Sequence, residues 1–214
     1  MIVYYCSNLP LIEYNNIANK KGRVPLPINI FIDQGHNPSG YFNSGASANG
    51  VNESEVNYQV GIYLQSLLNS DPRFAARVSR PTPDTILGTN NATSLQERVR
   101  LANEWPANYF ISIHCNSNPN PEINGTEVYI YQTGTQSNWF ADAILSAITE
   151  TVGTRDNGVR VNPSLYVLRR TNMPSILIEL AYLTNISDAM KLRDNQYQFA
   201  NGIYLGILRY FGFQ

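Results

Sequence analysis

Only two histidines and two cysteines occur among the 214 residues, and only 14% of the chain is charged, against roughly 25% in an average soluble protein. Each scarcity excludes something. With a net charge of −1 and no basic stripe, the electrostatic footprint of a nucleic-acid binder is missing. Cys6 and Cys115 are too few and too unevenly placed for a disulfide framework. No stretch approaches the ~20 apolar residues of a membrane span. The opening residues Met1–Asn8 lack the basic and apolar regions of a signal peptide, so the expectation is export by another route or a leader outside these residues. His-Glu-x-x-His, His-x-x-Glu, Gly-x-Ser-x-Gly, Walker A and dinucleotide glycine patterns are also missing, which removes the commonest zinc proteases, α/β-hydrolases and nucleotide binders. Asn-x-Ser/Thr matches at Asn52, Asn91, Asn124 and Asn185 are read as chance, since the first adjoins the candidate site. The polar surface must then be Asn, Ser, Thr, Gln and Tyr, which suits contact with sugars and peptides.

What is present is a clear alternation of elements. Residues 1–27 show no period and read as an N-terminal arm, ahead of one domain over residues 28–214. Ile28–Asp33, Phe74–Ser79, Tyr109–His114, Thr126–Tyr131 and Ser175–Leu180 are short apolar runs that predict strands, with Ser164–Arg169 a short strand or turn. Segment 34–52 is too glycine-rich for a helix. Helical periods start from an N-cap at Asn52 and from Thr93 or Ser94, and recur over 137–152, 185–193 and 195–211. Such alternation predicts an α/β fold of three layers, a central twisted, mostly parallel mixed sheet flanked by helices.

Both histidines stand at strand ends, His36 in Ile30–Pro38 and His114 in Tyr109–Asn116. Ligands of open α/β sheets collect at that edge, and two imidazoles there point to a shared metal. Glu179 ends another apolar run. A carboxylate so placed is costly to desolvate unless it is neutral or paired, with Arg169 and Arg170 as the nearby partners; such groups are frequent acid–base catalysts. Glu53 and Glu55 open the helix after the glycine-rich loop, where acids complement the helix dipole, so the residues alone leave both open as ligands. Cys115 reads as a buried small residue rather than a thiolate ligand, because adjacent strand residues face opposite sides. Serine hydrolase chemistry with a histidine base stays open on spacing alone.

Four separated motifs then agree. Asp33-Gln34-Gly35-His36, Asn52-Glu53-Ser54-Glu55-Val56-Asn57, Ser112-Ile113-His114-Cys115-Asn116 and Leu168–Glu179, together with Leu95–Asn103, resemble in order the zinc-dependent N-acetylmuramoyl-L-alanine amidases of the Amidase_3 type. The resemblance runs from about residue 28 to the C-terminus. Gln34 replaces the family's usual Pro or Ala, and Cys115 its usual small residue.

The resemblance implies Zn²⁺ held by His36, Glu53 and His114, choosing Glu53 over Glu55 because it stands four residues before Asn57. It implies Glu179 as the catalytic carboxylate, and Asn116 and Arg169 as substrate-binding residues. The expected reaction is hydrolysis of the peptidoglycan amide between N-acetylmuramic acid and L-alanine, in the cell wall or outside the cell, with spore and phage-lysis settings included. The rival classes are a zinc carboxypeptidase-like hydrolase of stem peptides and a non-catalytic peptidoglycan-binding protein. Division-associated members insert a blocking helix after the strand matching Thr126–Tyr131. Here only residues 132–137 precede the next helix, so no activator protein should be needed; a monomer is expected.

Overall fold

The computed structural model describes residues 26–213. Residues 1–25, which make up most of the expected arm and include Cys6, lie outside the described residues. In chain order the elements are β1 (Ile28–Gln34), β2 (Ser47–Ala48), β3 (Val51–Asn52), α1 (Glu53–Asn69), β4 (Phe74–Val78), α2 (Asn91–Glu104), β5 (Tyr109–Asn116), β6 (Thr126–Ile130), α3 (Gln136–Val152), β7 (Asp156–Val161), α4 (Tyr166–Arg170), β8 (Ser175–Tyr182), α5 (Ile186–Asp194) and α6 (Gln196–Tyr210). Six strands form one sheet in the order β4-β1-β5-β8-β6-β7. All neighbours are parallel except β6 and β8, so the sheet is mixed and mostly parallel as expected.

Strand alternation divides the core into two unequal parts. Ile30, Ile32, Ile111, Ile113, Ile176 and Ile178 are fully buried on one face, where they join Val56, Val60 and Leu64 of α1, Phe140 and Ile144 of α3, and Phe199 and Ile203 of α6. Phe31, Phe110 and Leu177 face the other way, onto Val99 and Ala102 of α2 and Val167 and Leu168 of α4. This second layer is short. α4 rests on β8 and α2, while α3 supports β6 and β7 from the opposite face; Arg160 on β7 keeps about half of its side chain in solvent (52%).

Two expectations need correction, and two short elements go beyond the sequence reading. α2 starts one turn early, because Asn90 caps it through Thr93 N while the Thr93 hydroxyl returns the bond to Asn90 N; this is a capping box with Thr in the third position. Ser164–Arg169 is not a strand: Ser164 lies in a turn, and Tyr166–Arg170 forms the short helix α4. β7 carries little apolar signal and its residues are half-buried or exposed, so its edge position is set by pairing with β6. The glycine-rich segment also holds the two-residue β2–β3 hairpin, which delivers the chain to the start of α1.

Candidate metal site

The site forms at the carboxyl edge of β1, β5 and β8. α1 is capped by Asn52, whose Oδ1 accepts from Ser54 N and Glu55 N. That leaves the next residue, Glu53, free of a capping role. Its side chain is buried (4% exposed), whereas Glu55 is exposed. Glu53 Oε1 lies 3.0 Å from His36 Nε2 and 3.1 Å from His114 Nδ1. The three ligand atoms all fall within 4.8 Å of one another, with the two rings nearly perpendicular at 80°. Glu53 also accepts from Ala46 N and Cys115 N. Burial pushes its carboxyl up, but the two imidazoles outweigh that and hold it well below the usual range. Burial in turn lowers the His114 pKa, which disfavours its imidazolium form.

The surroundings fit a metal ion. His36 Nδ1 donates to the backbone oxygen and Oδ1 of Asn43, 3.2 and 3.1 Å away, so the neutral tautomer leaves the Nε2 lone pair on the Glu53 side of the ring, available to an ion held there. A Cβ on Gly35 would lie 2.4 Å from the His114 ring, and one on Gly45 2.7 Å from Glu53 Oε2; only glycine lets the backbone approach so closely. Two nitrogens and a carboxylate suit zinc and leave coordination positions for water and substrate. A cavity of about 130 Å³ adjoins the cluster, lined by His36, Asn43, His114 and Tyr166 among others.

His36 itself sits at φ 71°, an uncommon conformation for a non-glycine residue. A buried network holds it there. Arg98, 1% exposed, donates Nη2 to the His36 carbonyl at 2.6 Å and Nη1 to the Gln34 carbonyl and Asp33 Oδ1, each at 2.6 Å. Arg80 reaches the same His36 carbonyl and Ser54 O. Burial pushes Asp33 up, but the charge and hydrogen bond of Arg98 prevail and lower its pKa. Arg98→Met should therefore strand a buried carboxylate and destabilise the fold by about 3–5 kcal/mol. Because the folded pKa of Asp33 is depressed, the pair stabilises fully above the ordinary value near 3.8 and loses that contribution as pH falls through the folded pKa. Urea melts of the two proteins should diverge at neutral pH and converge in acid. Equal melts at pH 7 would rule this out.

Glu179 pairs with His114 in the parallel β5–β8 register and is half-buried, with Oε2 closed off and unpartnered. Neither Arg169 nor Arg170 pairs with it among the described residues; Arg169 is exposed at the end of α4, above the Tyr166 ring. Burial, then the charges of Glu53 and Glu127, push the Glu179 carboxyl well above its ordinary value. Asn116 follows a register shift in β5 and donates Nδ2 to Glu127. Cys115 is buried, its amide on Glu53 and its thiol near Asn57 Oδ1, and stands outside the ligand cluster. Sequence reading missed Asn43, Asp33, Arg80, Arg98 and Glu127. The last carried a readable signal, a carboxylate inside the apolar run of β6, the same signal that marked Glu179.

A His-Glu-His cluster that could hold a metal ion, beside a carboxylate of raised pKa at the carboxyl edge of a mixed sheet, is the arrangement a metal-dependent α/β hydrolase would require. Residues 30–209 match the Amidase_3 family, N-acetylmuramoyl-L-alanine amidase, and the chain belongs to that family. It is 36% identical over 211 residues to N-acetylmuramoyl-L-alanine amidase LytC of Bacillus subtilis (strain 168), covering 95% of this chain and 39% of LytC. It is 35% identical over 188 residues to the amidase CwlM of Bacillus licheniformis, covering 86% of this chain and 69% of CwlM. The crystal structure of an N-acetylmuramoyl-L-alanine amidase from Clostridium difficile 630 superposes with TM-score 0.77 at 31% identity, over 88% of this chain and 98% of that one. The chain thus spans well under half the length of LytC.

Proposed function

We propose that the protein is a zinc-dependent peptidoglycan amidase that cleaves the amide between the lactyl group of N-acetylmuramic acid and L-alanine. The observation that carries this reading is the convergence of His36, Glu53 and His114 within 4.8 Å, with Glu179 in register beside His114, in a chain of this family. His36 Nε2, Glu53 Oε1 and His114 Nδ1 would hold the ion. When bound, Zn²⁺ acidifies a water molecule and polarises the scissile carbonyl. Glu179 accepts the proton of the attacking water, its raised pKa making it a stronger base than an ordinary carboxylate, and then delivers it to the leaving nitrogen. The hydroxyl ends on the lactyl carbonyl carbon, the C–N bond breaks, and a lactyl carboxylate and a free L-alanine amine result. Arg98 and Arg80 act upstream of this chemistry by holding the His36 backbone.

No helix of the described residues is long and apolar enough to cross a membrane, and action on the wall of a vegetative cell, spore or phage host fits the reading. The β6–α3 connection is confined to residues 131–135, too short for a helix and its hinges. The enzyme should therefore need no activator protein, and a monomer is expected. Mass spectrometry of digested peptidoglycan tests the function: glycan strands should lose whole stem peptides and gain free lactyl carboxylates. Release of D-alanine instead would establish the carboxypeptidase alternative, and binding without any product the non-catalytic one.

A further inference from the structure

The polar row on this face of the sheet does not stop at Glu179. Glu127 opposes Glu179 in the antiparallel β6–β8 register and is 2% exposed. Its Oε1 accepts from Asn116 Nδ2, the Tyr129 hydroxyl at 3.0 Å and the Tyr182 hydroxyl at 3.1 Å. Its Oε2 lies 2.6 Å from Nε of Arg160. Arg160 pairs with Tyr129 across β6–β7 and so projects from the same face. Among the described residues its Nη atoms have no hydrogen-bond partner, and its side chain is 52% exposed.

We propose that Arg160, held in place by Glu127, is a carboxylate-binding subsite that recognises the free α-carboxylate of the second stem-peptide residue, a γ-linked D-glutamate. This rests on the amidase reading above. Three observations lead to it. First, a guanidinium whose Nε is engaged by Glu127 keeps both Nη groups as a planar fork, the geometry that matches a carboxylate. A salt bridge that served only to neutralise Glu127 would not need to leave that fork in solvent. Second, the reach is right. β7 lies two strand spacings, about 10 Å, from β8, and the Arg160 side chain leans back toward Glu127, so its head sits about 5–10 Å from Glu179. With the scissile amide at Glu179, two extended residues carry the peptide about 7 Å. Third, a cation at the outer end of this row, beside Glu127, gives the peptide's own carboxylate a partner of opposite charge where it arrives.

Two muramyl tripeptides that differ only at this position, free α-carboxylate against α-carboxamide, test the assignment. The wild-type enzyme should show kcat/KM about tenfold higher for the acid, the scale of one charge-assisted hydrogen bond at a half-exposed site. Arg160→Gln should bring that ratio to about one by raising KM for the acid, with kcat and zinc content little changed and a lower melting temperature because buried Glu127 loses its ion pair, and Arg160→Lys should restore part of both. Equal losses on both substrates would reduce Arg160 to structural support for Glu127, and an unchanged ratio would remove it from recognition; either overturns the proposal. Calorimetric binding of the same two compounds to Glu179→Gln protein reads the subsite without turnover. Failure of wild-type protein to cleave either compound defeats the amidase reading, whereas equal affinity for acid and amide in calorimetry defeats the subsite.

Discussion

Glu179→Gln protein should retain its zinc and lose about 10²-fold or more of its turnover, the range that acid–base catalysis supplies. The amide preserves the shape of the carboxyl and a hydrogen-bonding group but cannot take a proton. The site explains why the loss should fall on kcat. Glu179 is in register with His114 and outside the three-atom ligand cluster, and burial with the nearby Glu53 and Glu127 charges raises its pKa, so its part is to carry a proton. The amide can never place a charge in this buried position beside Glu53 and Glu127, so the variant should melt at or above the wild-type temperature. Zinc analysis and single-turnover kinetics separate the outcomes. Loss of zinc along with the carboxylate would make Glu179 a ligand and reassign its role.

His114→Ala should lose nearly all bound zinc and nearly all activity. Removing a partner one shell outside a metal commonly lowers affinity about 10–100-fold, and removing a ligand should exceed that. The imidazole Nδ1 lies 3.1 Å from Glu53 Oε1, so its loss leaves only His36 to share the ion with that carboxylate. Glu55→Gln is the matched control, one residue beyond Ser54 on the same first turn but exposed, and should keep both zinc and rate. Stoichiometric zinc and full activity in His114→Ala protein would overturn the ligand assignment, and loss of metal in Glu55→Gln would transfer it to the wrong glutamate.

The site was partly legible before any fold was known, for a specific reason. Polar residues that interrupt an apolar run stand out against their neighbours, and His36, His114 and Glu179 each do so at a strand end. Glu53 did not, because an acid at a helix start has an ordinary explanation in the helix dipole; only the resemblance of Asn52–Asn57 to a family motif separated it from Glu55. Arg98 was hidden differently. On α2 it looks like one charge among Glu97, Arg98 and Arg100, yet Glu97 and Arg100 pair with each other at the surface while Arg98 turns inward to Asp33. Helix periodicity gives the direction of a side chain but not which partner waits at the end of it.

Local sequence determined five of the eight strands and most helices of this protein, since hydrophobic period, Asn caps and glycine breaks act over a few residues and carry their own energetics. It also determined the list of groups able to do chemistry. Tertiary structure decided which of them meet. β1, α1, β5 and β8 are far apart in the chain, and the order β4-β1-β5-β8-β6-β7 brings His36, Glu53, His114 and Glu179 to one edge. The antiparallel insertion of β6 beside β8 sets Glu127 against Glu179 and lets β7 carry Arg160 to the same row, a pairing fixed by strand register and not by any pattern within either segment.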